Sequence, residues 1–293
     1  MDPIALALEA LPKAVTYAGL LLCVGACVAR GLLRLRVVQG RPVDTTAFEL
    51  ALSRVAARAS LLVAAALLVR AWGHTAVAFG FAESFTAESL RTIAWESQWG
   101  QSWLWQAAAA IVLAIVAQSA KRGSNGSWVL TGSVTVALCY LLPLLGHAEG
   151  QPGRVLLHGS HILAAGIWVG TLGALVLAFR ASPAPSPTPV QVFGQFSPVA
   201  FTGSGLLACT GLVAAWLYVG SFEALVSTAY GRILLLKLFL VSDVATMGFL
   251  NWRQFRSPDT GQSPAAQRTF VLLEALLALA VVIVTAVLTE TEH

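Results

Sequence analysis

The stretch LLPLLGHAEGQPGRVLLHGSHILAAGIWVGTLGALVLAFR, residues 141–180, decides how this chain folds. Residues 156–179 contain no Asp, Glu, Lys or Arg. A helix of about 20 apolar residues crosses the hydrocarbon core of a bilayer, so this segment is long enough to span one. GHAEGQPGR, just before it, is polar, rich in glycine and punctuated by Pro152, which breaks one apolar helix from the next.

Working outward, the same alternation recurs along the chain. Eight apolar stretches appear, at about 13–35, 52–74, 102–120, 128–146, 156–179, 196–219, 231–251 and 269–289. Their breaks are RLRVVQGRPVD, KRGSNGS, HAEGQPGR, SPAPSPTP and RSPDTGQSP; SPAPSPTP reads as an extended linker. Of the 293 residues, 57% are hydrophobic and only 11% charged, against about 25% charged in ordinary soluble domains. A soluble fold of this size has no interior large enough for that apolar surface. The fold class is therefore an all-α, polytopic membrane helix bundle with eight transmembrane helices, in contact with the lipid bilayer as one integral domain.

The charges orient the bundle. Arg30, Arg34, Arg36, Arg41, Arg54 and Arg58 flank the first connection, and Lys121, Arg122, Arg180, Arg253, Arg256 and Arg268 flank the alternate ones. These twelve of the eighteen basic residues fall on one side, which the positive-inside rule assigns to the cytoplasm. Asp2, Glu9, Glu83, Glu88, Glu96, Glu149, Glu223, Glu290 and Glu292 fall on the other, so both termini are expected to face out. The N-terminus carries Asp2 and Glu9 where a signal peptide has basic residues, so no cleavable signal is expected. Tryptophans at predicted helix ends, such as Trp72, Trp99, Trp103, Trp128 and Trp252, read as interfacial anchors. Residues 76–101, the longest outer connection, read as an interfacial helix or partial lid.

An internal repeat is one reading of the chain. LSRVAARASLLVAAALLVRAW (52–72) and FSPVAFTGSGLLACTGLVAAW (196–216) place a serine and a tryptophan at the same separation. WGQSWLWQ (99–106) and YGRILLLK (230–237) each set a polar residue six after a glycine. Halves at 1–150 and 151–293, four spans each, would then be parallel repeats.

Four histidines, His74, His147, His158 and His161, fall at the outer face on three spans. His158 and His161 are three apart and share a helical face. Neutral imidazole ligates Cu, Zn, Fe and Ni, so two histidines of one helix with His147 or His74 make a candidate metal site, oriented by Glu83 or Glu149. The competing reading is a set of helix-end histidines bonded to loop carbonyls and headgroups. His161 lies inside its span, where ionisable residues usually mark a site. Lys237, Asp243 and Glu274 are further intramembrane polar residues, read either as buried pairs (Glu274 with Arg268, or sharing a site with Asp243) or as an ion path. Cys23 and Cys27, at i and i+4 of span one, are candidate thiolate ligands or simple packing residues. Only Met1 and Met247 occur, so no methionine ladder for Cu(I) exists. No nucleophile triad, P-loop or dinucleotide fingerprint appears. The chain is expected to be neither an enzyme nor a nucleic-acid binder.

GHA (146–148), HILAAGIWVGTL (161–172), FSPVA (196–200), TAYGRILLLK (228–237) and NWR (251–253) together resemble the CopD copper-resistance family of bacterial inner-membrane proteins. The likeness is good over about 146–253 and weak before residue 90. It implies copper as the metal, handled from the periplasmic side in transport or resistance. It puts functional weight on His147 and His161, then on Lys237. It also implies a periplasmic CopC-like copper-binding partner, expected here as a separate protein. A haem-binding or electron-transfer membrane protein is the alternative, because histidines on neighbouring helices also ligate haem.

Overall fold

The computed structural model describes residues 3–34, 45–145, 150–182, 189–256 and 264–291. Every regular element among them is helical. Among the described residues eight helices are long and apolar enough to cross a membrane. Span one is Pro3–Arg34, span two Thr46–Phe79, span three Gln98–Ala120 and span four Asn125–Leu145. Span five is Pro152–Ala181, span six Gly194–Val219, span seven Ala229–Arg253 and span eight Val271–Leu288. An even number of crossings returns the chain to its starting end, here termed the termini end; the opposite one is the far end.

The helices overrun the apolar windows that identify them. Span one begins at Pro3 rather than near 13, and it carries Glu9 and Lys13 inside its first turns. These charges lower local hydropathy, yet the fold pairs both, as described below. The bilayer-crossing core of each helix is what hydropathy detects; the ends are set by tertiary partners.

Spans one and five form the centre, and glycine lets them touch. A Cβ on Gly25 would lie 2.0 Å from the carbonyl carbon and oxygen of Gly170, and a Cβ on Gly170 would lie 2.0 Å from the Leu21 carbonyl oxygen. Only hydrogen fits at either position, so the two backbones pack in direct contact, as small-residue seams permit in lipid. At the same place span five contains a π-helical turn, Gly166–Gly170. Such turns are rare and re-aim side chains; here Trp168, in the middle of the turn, is buried among residues of spans one, six, seven and eight. One apolar core, running from Ala26 and Phe48 to Val244 and Val271, draws on all eight spans.

Backbone groups freed at helix breaks must find partners in lipid. Span four ends in a tight turn at Leu142–Leu145, around Pro143. Gln106, fully buried on span three, donates its Nε2 to the Leu141 carbonyl at 2.9 Å.

The connection from 80 to 97 folds back on the bundle. Short helices at Glu83–Phe85 and Ala87–Arg91 and a π-turn at Thr92–Glu96 lead into span three. Phe81 and Phe85 pack on Trp72 with ring centroids 5.4 and 5.7 Å away. One tryptophan expected as a membrane-surface anchor, Trp128, is interior instead. Trp128 is buried under the Arg30 guanidinium, 5.0 Å from its ring, and Trp103 donates Nε1 to the Leu67 carbonyl at 2.9 Å. A helix end that another helix covers is no longer at the lipid surface, and linear position along the chain does not record that.

Candidate functional site

At the termini end the histidines separate into two environments. His158 and His161 lie on span five, facing span six. His158 Nε2 is 2.9 Å from the Tyr218 hydroxyl, and Arg154 stacks over the Tyr218 ring at 5.3 Å. His161 Nδ1 is 2.9 Å from Thr210 Oγ1. Thr210 in turn is 2.8 Å from the Leu206 carbonyl. A hydroxyl has one proton. When Thr210 donates it to that carbonyl, its oxygen accepts from His161 Nδ1–H. The neutral ring then carries its lone pair on Nε2, which makes no hydrogen bond among the described residues. The ring also lies against Gly211, where a Cβ would be 3.4 Å from Cε1. Lys237 and His158 are within electrostatic reach of it.

His74, on span two, joins a different cluster. Its Nδ1 is 2.7 Å from Glu9 Oε1, and its ring stacks on Trp99 at 4.0 Å with a 7° interplanar angle. Beside it Lys13 Nζ is 2.6 Å from Glu290 Oε1, and Arg70 reaches the same oxygen at 3.7 Å. Glu9, Lys13 and Arg70 are all buried. These ion pairs link spans one and two to the chain just past span eight, and Trp99 brings in span three. Sequence reading placed Glu9 and Glu290 merely on the outer side; the only available signal for their pairing was that charged residues inside helix ends need partners.

His147 and Glu149 lie outside the described residues. Among those that are described, no group of three or more His, Cys, Asp or Glu residues comes together to hold a metal ion. Of the cysteines, all free, Cys23 is buried with its thiol 3.7 Å from the Ala56 carbonyl, and Cys27 is half-buried, facing Gly132. Lys237, half-buried on span seven, and Asp243, one and a half turns on, make no hydrogen bond or ion pair among the described residues. Glu274 is buried on span eight near the far end and is bonded by Asn251 of span seven, whose Nδ2 donates to Oε2 at 2.6 Å. Asn251 was not singled out from sequence, although it opens the NWR motif; the Arg268 side chain lies outside the described residues.

Eight apolar spans around one core, with imidazoles at one end of the second half and a buried carboxylate at the other, define a multi-pass membrane protein. The chain belongs to the copper resistance protein D family. The model of that family's N-terminal domain matches residues 5–158, and the model of copper resistance protein D itself matches residues 190–288. The first match covers the part of the chain where the sequence resemblance was weakest. The chain is also similar to a copper transport protein, CutJ, of Bacillus subtilis (strain 168), with 29% identity over 182 residues, 59% of this chain and 34% of that protein. It thus spans about a third of that relative's length. No solved structure matches.

Proposed function

We propose that this protein carries copper ions across the bacterial inner membrane, accepting them at a periplasmic entry site built on His161 and His158. His147 supplies the expected third nitrogen from the adjoining connection. Both termini and this site face the periplasm, as the distribution of Arg and Lys predicts. Copper is the transported substrate, and a periplasmic CopC-like protein is the expected donor or acceptor.

One observation carries the reading. His161 is held inside a membrane span with Nδ1 2.9 Å from Thr210 Oγ1; with the Thr210 proton donated to the Leu206 carbonyl, Nε2 carries an oriented lone pair. Metal-ligating histidines characteristically donate their other ring N–H to a fixed acceptor, which sets the tautomer and aims the ligand atom. His158, one turn towards the termini end, and Lys237 across the interface complete the polar surface of that region. The family's copper association gives the metal. The thiols of Cys23 and Cys27 are assigned to packing, since Cys23 sits in the apolar core of the first half.

The test is copper binding to the purified full chain, followed by copper flux in proteoliposomes. His161→Ala and the double variant His158→Ala/His161→Ala should each lower the bound copper and the flux. Unchanged stoichiometry and flux in the double variant would overturn the assignment.

A further inference from the structure

The second half contains another polar site, at the far end and built differently. A cavity of about 170 Å³ lies between spans five to eight, and its polar lining is Trp168, Trp252, Ser197, Ser204, Asn251 and Glu274. Glu274 is 3% exposed and Asn251 5%. When Glu274 is ionised its carboxylate can only accept hydrogen bonds, and the amide then turns its NH₂ end towards Oε2, 2.6 Å away. That leaves Asn251 Oδ1 pointing elsewhere, buried without a hydrogen-bond partner among the described residues.

Two deficits therefore meet in one cavity. Among the described residues Glu274 makes no ion pair and Asn251 Oδ1 has no donor; the Arg268 side chain lies outside them. Buried charges are normally paired and buried acceptors normally bonded. With Glu274 ionised, both groups call for a positive centre. A glycine keeps room beside them: a Cβ on Gly248 would lie 3.0 Å from Glu274 Oε1, closer than an ordinary contact. The π-turn in span five sets the Trp168 indole, whose face attracts cations, into the same cavity.

The chemistry of the donors selects the ligand. Carboxylate, amide carbonyl and seryl hydroxyls are hard oxygen ligands, and no thiol, thioether or imidazole lines the cavity. One carboxylate balances one positive charge. We infer that the Glu274–Asn251 cavity is a binding site for a hard monovalent cation, Na⁺ or K⁺, distinct from the copper-entry histidines. The site stands on its own geometry. Its role rests on the proposed copper transport, for which it would supply the coupling ion from the opposite membrane face.

The test uses the purified full chain and a hydrophobic carbodiimide, which modifies buried carboxyl groups, with labelling of Glu274 read by peptide mass spectrometry. In choline chloride Glu274 should label, and Na⁺ or K⁺ should slow that labelling by about tenfold or more. Ag⁺, a redox-inert stand-in for Cu⁺, should not. Asn251→Ala and Gly248→Ala should weaken the alkali-ion protection while Glu274 still labels. His161→Ala should leave protection intact, which separates this site from the copper reading. Labelling indifferent to alkali cations would overturn the proposal, and so would protection by Ag⁺ alone. If the carboxyl resists the reagent, the decision passes to the melting temperature. A rise with Na⁺ or K⁺ that Glu274→Gln abolishes supports the site; no rise overturns it.

Discussion

His74 and His161 sit at the same end of the bundle, both half-buried, each with Nδ1 within 2.9 Å of an oxygen. The partner differs. His74 meets the carboxylate of Glu9, beside the Lys13–Glu290–Arg70 ion cluster, and stacks flat on Trp99. His161 meets the hydroxyl of a threonine that has already committed its proton to its own helix. The first arrangement gathers charges of both signs until they balance, which is how buried ionic groups hold helices in register. The second leaves Nε2 of the ring without a hydrogen-bond partner among the described residues. Residue type and end of the bundle are the same; the surroundings tie one into an ion cluster and set the other against a single hydroxyl.

The largest effect that sharpens this comparison is expected at the ion cluster. Lys13→Ala removes one partner of a buried pair and leaves Glu290 under-compensated, which costs about 3–5 kcal/mol when such a pair is broken. The melting temperature in detergent should fall sharply, with copper binding per folded molecule retained. Next comes the seam joining the two regions. Gly170→Ala drives a methyl into the Leu21 carbonyl, and overpacking of this kind costs about 1–3 kcal/mol. Because the seam also fixes the π-turn, quenching of tryptophan fluorescence should change together with stability.

The histidines themselves should then give crossed results. His74→Ala strands the buried Glu9 carboxylate and should cost about 1–3 kcal/mol, with copper affinity within about twofold of the wild type. His161→Ala should change stability by less than about 1 kcal/mol and lower copper affinity by about tenfold or more. The opposite pattern would break the comparison outright and move the site to spans one to three. Thr210→Val is subtler: without an acceptor for Nδ1–H the tautomer is no longer fixed, and affinity should drop by about tenfold, with Thr210→Ser restoring it. The smallest effect is expected for Cys27→Ala, whose copper flux should match the wild type if the thiols only pack.

Most of the fold was legible in the chain because bilayer crossing is a one-dimensional constraint. The window at 156–179 became Pro152–Ala181 and the window at 102–120 became Gln98–Ala120, in the same order and number. The candidate site was less legible. His158 and His161 were bound to share a face, since helical spacing is local, and the structure places them together against span six. Which helix faces them depends on packing, so Tyr218 and Thr210 could not be read as their partners. Asn251 escaped notice for the same reason: an amide near a helix end is unremarkable until Glu274, from another span, is seen 2.6 Å away. Glu9 and Lys13 looked like the polar fringe before span one, yet they are interior residues of it.

What the sequence determined by itself is the set of spans, their order and the sorting of charges between two membrane faces. Each of these follows from the free energy of single segments in water and in lipid. Tertiary structure alone decided which polar groups neutralise one another and which remain available. That depends on close approaches such as Gly25 to Gly170, where the absence of two methyl groups lets helices meet and fixes what every side chain around them can reach.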